Sequence, residues 1–101
     1  MREYQQFETM SRSRAVVYYE GKVQGVGFRY STKNLATGFE VSGTVRNLTD
    51  GRVELILEGE KDEISAFHKA LRESELGHFI KKEDVMWQAA LGDLRGFAII
   101  R

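Results

Sequence analysis

Three glycines fall within seven residues, Gly21, Gly25 and Gly27, at the point where the chain changes its hydrophobic rhythm. Before them stands Ala15-Val16-Val17-Tyr18-Tyr19-Glu20, a β-branched and aromatic run that predicts a strand. After them Phe28, Leu35, Ala36 and Phe39 recur at helical spacing, one face of a helix ending near Gly38. The chain is thus committed to a strand, a tight backbone-rich loop and a helix in that order. With no proline in the sequence, glycine carries most of the remaining punctuation.

Downstream, Val41, Gly43 and Val45 alternate with Ser42, Thr44 and Arg46, giving a second strand with one buried face. Thr49-Asp50-Gly51 signals a hairpin, because Asp-Gly tolerates positive φ. Val53, Leu55 and Leu57 then alternate with Glu54, Ile56 and Glu58 as a third strand. Asp62 is expected to cap a second helix, with Glu63 in its first turn and Ile64, Phe67 and Leu71 as its apolar stripe. Gly77 is expected to follow that helix. Val85, Trp87 and Ala89 suggest a fourth strand, and Phe97-Ala98-Ile99-Ile100 a short fifth. The order β-α-β-β-α-β with an added strand predicts an α+β, ferredoxin-like sandwich: a mainly antiparallel sheet with two helices on one face.

The glycine loop lies where backbone N–H groups and a helix N-terminus can converge on an anion. Arg29, in the first helical turn, can grip phosphate oxygens at two points. No Gly-Lys-Ser/Thr run follows, and Tyr30 stands where a dinucleotide fingerprint needs its third glycine. By spacing alone, a small anion site and a tight turn with a solvated arginine are equally good readings. Asn47 shares the parity of Val41 and Val45, so it points to the helix side at the end of the second strand. There it either faces the mouth of the loop or serves the turn with Asp50, and spacing alone favours the turn.

The 101 residues suit one domain, and fifteen basic residues balance fifteen acidic ones. That balance argues against a general nucleic-acid or membrane-surface binder. The absence of cysteine removes disulfides, a thiol nucleophile and thiolate metal sites. His68 and His78 read as structural or solvated and as remote from the loop, and Glu58/Glu60 and Glu83/Asp84 as solvated strand ends, so no metal or other cofactor is expected. No apolar run approaches the ~20 residues of a membrane span, and residues 1–13 have no apolar signal core. A cytoplasmic monomer is expected. Residues 1–13 read as a flexible extension, with Met10 a possible true start, ahead of a domain over residues 14–101.

Two separated segments carry a resemblance. Gly21-Lys22-Val23-Gln24-Gly25-Val26-Gly27-Phe28-Arg29 resembles the acylphosphatase signature Gly-x-Val-Gln-Gly-Val-x-Phe-Arg. Gly43-Thr44-Val45-Arg46-Asn47-Leu48-Thr49-Asp50-Gly51-Arg52-Val53 resembles that family's second signature, Gly-x-Val-x-Asn-x-x-x-Gly-x-Val. The likeness is strongest from about Ala15 to Leu71. It implies that Arg29 binds phosphate, that Asn47 positions water, and that the backbone of Lys22, Val23, Gln24, Gly25 and Val26 forms the phosphate cradle. The fold it implies is the one read above. Thr44 stands where the family often has Trp, and Gly77-His78 where Gly-Pro is common; both departures bear on packing rather than chemistry.

The implied substrate is a small acyl phosphate, hydrolysed to carboxylate and inorganic phosphate without metal. A non-catalytic phosphate-binding module on the same fold is the main alternative, although binding alone needs no water-positioning amide. RNA recognition uses the same element order but stacks bases on exposed strand aromatics. Here the outer faces of strands two and three present Ser42, Thr44, Arg46, Glu54, Ile56 and Glu58, with no aromatic among them.

Overall fold

The computed structural model describes residues 12–101. Its elements are β1 (Arg12–Gly21), α1 (Phe28–Ala36), β2 (Val41–Asn47), β3 (Val53–Glu60), α2 (Lys61–Glu73), a 3-10 turn (Glu75–Phe79), β4 (Ile80–Ala89) and β5 (Phe97–Ile99). They form a five-stranded sheet in the order β4-β1-β3-β2-β5. β1 pairs antiparallel with both β3 and β4, and β2 antiparallel with β3; β5 joins parallel to β2. This is the α+β, ferredoxin-like order that the sequence predicts.

The alternation of the strands decides what is buried. Ala15, Val17 and Tyr19 of β1, Val45 of β2 and Val53, Leu55 and Leu57 of β3 face the helices and are nearly or wholly inaccessible. Phe28 of α1 and Ile64, Phe67 and Leu71 of α2 close on them, the helical stripe meeting the strand face. Burial of a side chain such as Phe67 contributes about 1.5–3 kcal/mol. Leu35 and Phe39 pack at the margin of this core, Phe39 from beyond the end of α1.

Several boundaries differ from the sequence reading. β1 begins earlier than its apolar run, Arg12 pairing with Glu60 and Ser13 with Gly59. Of the segment read as an extension, these two residues therefore belong to the sheet, and residues 1–11 lie outside the described residues. Asp62 is not the cap of α2. β3 runs straight into the helix, Glu60 is the N-cap in extended conformation, and no side chain caps it. Asp62 and Glu63 instead occupy the first turn, where their charge suits the helix dipole. Glu63 Oε1 also accepts from Glu40 N at 2.8 Å, tying the start of α2 to the approach of β2.

The outer sheet face corrects a second expectation. Glu58 is not a solvated strand end but 2% exposed. Arg14 Nη1 pairs with its Oε2 at 2.7 Å, and the amides of Leu91 and Gly92 donate to its two oxygens at 2.7 and 3.0 Å. The β4–β5 connection thus folds back across this face. Burial pushes the Glu58 carboxyl up, but the Leu91 amide, Arg14 and the Gly92 amide outweigh it and hold it below the usual range. Beside it Glu54 accepts from Arg46 Nε at 2.7 Å and from the Tyr18 hydroxyl at 3.3 Å. The guanidinium of Arg52 lies 4.6 Å above the Tyr18 ring, covering that aromatic.

Candidate active site

Sheet register brings the two sequence motifs to one place. Tyr19 of β1 is opposite Val53 of β3, and Val53 is opposite Asn47 of β2. Directly paired residues of neighbouring strands share a face. Tyr19 and Val53 are fully buried on the helix side, so Asn47 emerges on that side too. This row lies at the sheet end where β1 runs out into the glycine loop. α1 starts above it, the Phe28 ring lying 5.4 Å from the Tyr19 ring, and Arg29 follows in the first turn, half-buried.

The loop is open on one side and anchored on the other. Gly27 is the N-cap of α1 in the left-handed region (φ 76, ψ 18), and no side chain caps the helix. Its first turn carries no acidic residue, so the early N–H groups keep their capacity for an external acceptor. Gly25 (φ 79) also takes a positive φ; beside both glycines the space a Cβ would take is free of other atoms within 4 Å. Backbone conformation, not crowding, therefore requires glycine there. Val23 is fully buried in the core, while Lys22, Gly25 and Val26 are exposed. Lys22 N donates to Phe79 O at 3.0 Å, fixing the root of the loop to the turn before β4.

Opposite the loop stands the β2–β3 hairpin. Its turn is capped by Asp50, whose Oδ1 accepts from Arg52 N at 3.1 Å and whose Oδ2 pairs with Arg52 Nε at 2.9 Å. The Arg52 amide is the main cause of the lowered Asp50 pKa, and it outweighs a smaller opposing effect of desolvation. Asn47 takes no part in this. Among the described residues neither the Asn47 amide side chain nor the Arg29 guanidinium has a hydrogen-bond or ion-pair partner. The turn-residue reading of Asn47, which spacing alone favoured, is thereby weakened: Asp50 does that work.

Two features escaped the sequence reading. The Gln24 side chain bonds to the hairpin, Nε2 donating to Leu48 O at 2.8 Å and Arg52 O at 2.9 Å. Only the signature match drew attention to Gln24, and then for its backbone. The histidines, expected away from the loop, are nearer than that. His68 is half-buried on α2, its ring 6.2 Å from Tyr19 and its Nε2 3.3 Å from Glu83 Oε1. Burial, helped by the Arg72 guanidinium, holds its pKa below the usual histidine value against the pull of the Glu83 carboxylate. His78 is exposed and borders a shallow depression with Gly21 and Lys22.

Among the described residues no group of three or more His, Asp or Glu side chains is placed to hold a metal ion. A cavity of about 440 Å³ between α1 and the 3-10 turn shares Val26 with the loop and is otherwise lined by residues such as Ser31, Leu35, Leu76 and Phe79. Arg29 and Asn47 are not in its lining.

The chain is similar over most of its length to known proteins of one family. The acylphosphatase family model matches residues 15–99. An acylphosphatase of a Roseiflexus species is 42% identical over 91 residues, spanning 90% of this chain and 98% of its own. One from Pyrobaculum islandicum is 38% identical over 92 residues, spanning 90% and 97%. In three dimensions the crystal structure of acylphosphatase from Bacillus subtilis superposes with a TM-score of 0.80 at 29% identity, covering 88% of this chain and 99% of that one. The acylphosphatase structure from Coxiella burnetii gives 0.70 at 30%, covering 92% and 97%. With the fold, both motifs and near full-length relatives in agreement, this chain belongs to the acylphosphatase family.

Proposed function

We propose that the chain hydrolyses carboxyl–phosphate anhydrides, with Arg29 and the backbone of Lys22 to Val26 holding the phosphoryl group and Asn47 orienting water. The observation that carries this reading is the pair of polar side chains, Arg29 in the first turn after an anion-competent loop and Asn47 at the strand end level with it, neither with a side-chain partner among the described residues. The loop amides and guanidinium neutralise the phosphoryl oxygens, where charge is greatest in the transition state. The Asn47 side chain holds a water in line with the bond to be broken. The water oxygen attacks phosphorus, and the phosphorus–oxygen bond to the acyl group breaks, its electron pair leaving as carboxylate. An amide is too weak a base to take the water's proton, so the proton passes to an oxygen of the substrate. The carboxylate is a good leaving group, so positioning and charge stabilisation suffice.

The acting unit in this reading is the domain read over residues 14–101, extended by Arg12 and Ser13 of β1, as a cytoplasmic monomer that binds neither nucleic acid nor membrane. Benzoyl phosphate turnover by the purified chain, with and without EDTA, tests the central reading. Turnover that survives chelation is expected. Phosphate binding without turnover would mean a binding module, and activity lost to EDTA and restored by one divalent ion would mean a metal enzyme.

A further inference from the structure

The loop and Asn47 belong to separate segments, and one side chain spans the gap between them. Gln24 is half-buried at the middle of the loop. Its Nε2 donates to Leu48 O at 2.8 Å and to Arg52 O at 2.9 Å. A primary amide has two N–H donors, and both are used here. The two carbonyls belong to residues that close the hairpin on each other, Leu48 N donating to Arg52 O at 2.8 Å. Leu48 is the residue directly after Asn47. The Gln24 amide therefore holds the loop against the backbone that carries the asparagine.

Other restraints on the loop act elsewhere. The Lys22–Phe79 hydrogen bond fixes its root toward β4, on the far side from the hairpin. Gly25 and Gly27 offer no side chain with which to grip anything. We propose that Gln24 is a positioning residue, whose side-chain amide sets the separation between the phosphate cradle and Asn47. This rests on the reading above, that the cradle holds the phosphoryl group while Asn47 orients water. In-line attack needs the reacting atoms about 3–3.5 Å apart, and a misplacement of about 1 Å costs on the order of a hundredfold in rate. Each Gln24 bond is neutral and modest by itself; its leverage is geometric.

The test is a double-mutant cycle with benzoyl phosphate as substrate. Gln24→Met keeps the side-chain length and removes both donors. Expected are a kcat lower by roughly tenfold to a hundredfold and little change in competitive inhibition by inorganic phosphate. In an Asn47→Ala background the same replacement should cost almost nothing further, because there is no oriented water left to misplace. A purely structural role would instead lower the rate equally in both backgrounds. Melting temperatures check that each variant is folded. Gln24→Asn, which keeps an amide too short to reach both carbonyls, carries the same cycle if Gln24→Met does not fold. Losses that multiply, or a wild-type kcat in the Gln24 variants, overturn the proposal while leaving the site reading intact. Full turnover in Asn47→Ala alone would overturn the site reading, and this proposal with it.

Discussion

Replacing Asn47 by alanine separates catalysis from stability, and the structure supplies both magnitudes. The side chain is half-buried at the end of β2 and has no hydrogen-bond partner among the described residues. Its removal strands no buried donor or acceptor, and the hairpin keeps its Asp50 cap. Stability should therefore move by less than about 0.5 kcal/mol, as for substitutions that touch no packed or bonded feature. Activity should fall much further. Losing one positioned transition-state donor costs roughly 10²–10³ in kcat, or about 2.7–4 kcal/mol. Initial rates with benzoyl phosphate and a thermal melt of the same preparation give the two numbers. Phosphate should still inhibit at nearly its original concentration, because Arg29 and the loop amides remain. A folded Asn47→Ala with near-full kcat would refute the water-positioning role. A large drop in melting temperature would refute the claim that the amide has no structural duty.

Arg29→Ala should weaken inhibition by inorganic phosphate as well as turnover, and Arg29→Lys should restore little, since a point charge cannot reproduce a planar two-point grip; inhibition constants decide both. In the parent protein, phosphate titration followed by NMR should move the amides of Lys22 to Gly27, and shifts centred on His68 would place the site elsewhere. Gly27→Ala meets no atoms within 4 Å but must keep a φ of 76, so it should cost about 1–2 kcal/mol of stability from backbone strain alone; a neutral melt would show that the loop relaxes. Glu58 has a lowered folded-state pKa, so its contribution is present above the unfolded value near ~4.3 and is lost as pH falls through the folded value. Glu58→Gln should therefore lower the melting temperature at neutral pH and converge on the parent under acid; a gap that stays constant with pH would refute that assignment.

The sequence alone establishes the element order, because period-two alternation in Val41–Val45 and Val53–Leu57 and helical spacing in Ile64–Leu71 are local signals that burial enforces. It also determined the chemistry on offer: a glycine loop, an arginine at a helix start and an asparagine before an Asp-Gly turn. Tertiary structure decided the rest. The start of α2 departed from the capping rule because β3 enters the helix without a linker, so Glu60 is N-cap and Asp62 lies inside. Glu58 looked solvated because alternation marks it as outward-facing, yet the β4–β5 connection covers that face and supplies its partners. The short fifth strand was legible, but its place parallel to β2 was not; Gly96 O accepting from Gly43 N at 2.8 Å and Val45 O accepting from Ile100 N at 3.0 Å belong to a contact between distant segments. Parity alone put Asn47 on the helix side, but only the register Tyr19–Val53–Asn47 set it level with the loop. Gln24 shows the limit most clearly. Its partners are backbone carbonyls, which every residue has, so no pattern of side chains announces a bond that exists only once β1, β3 and β2 are aligned.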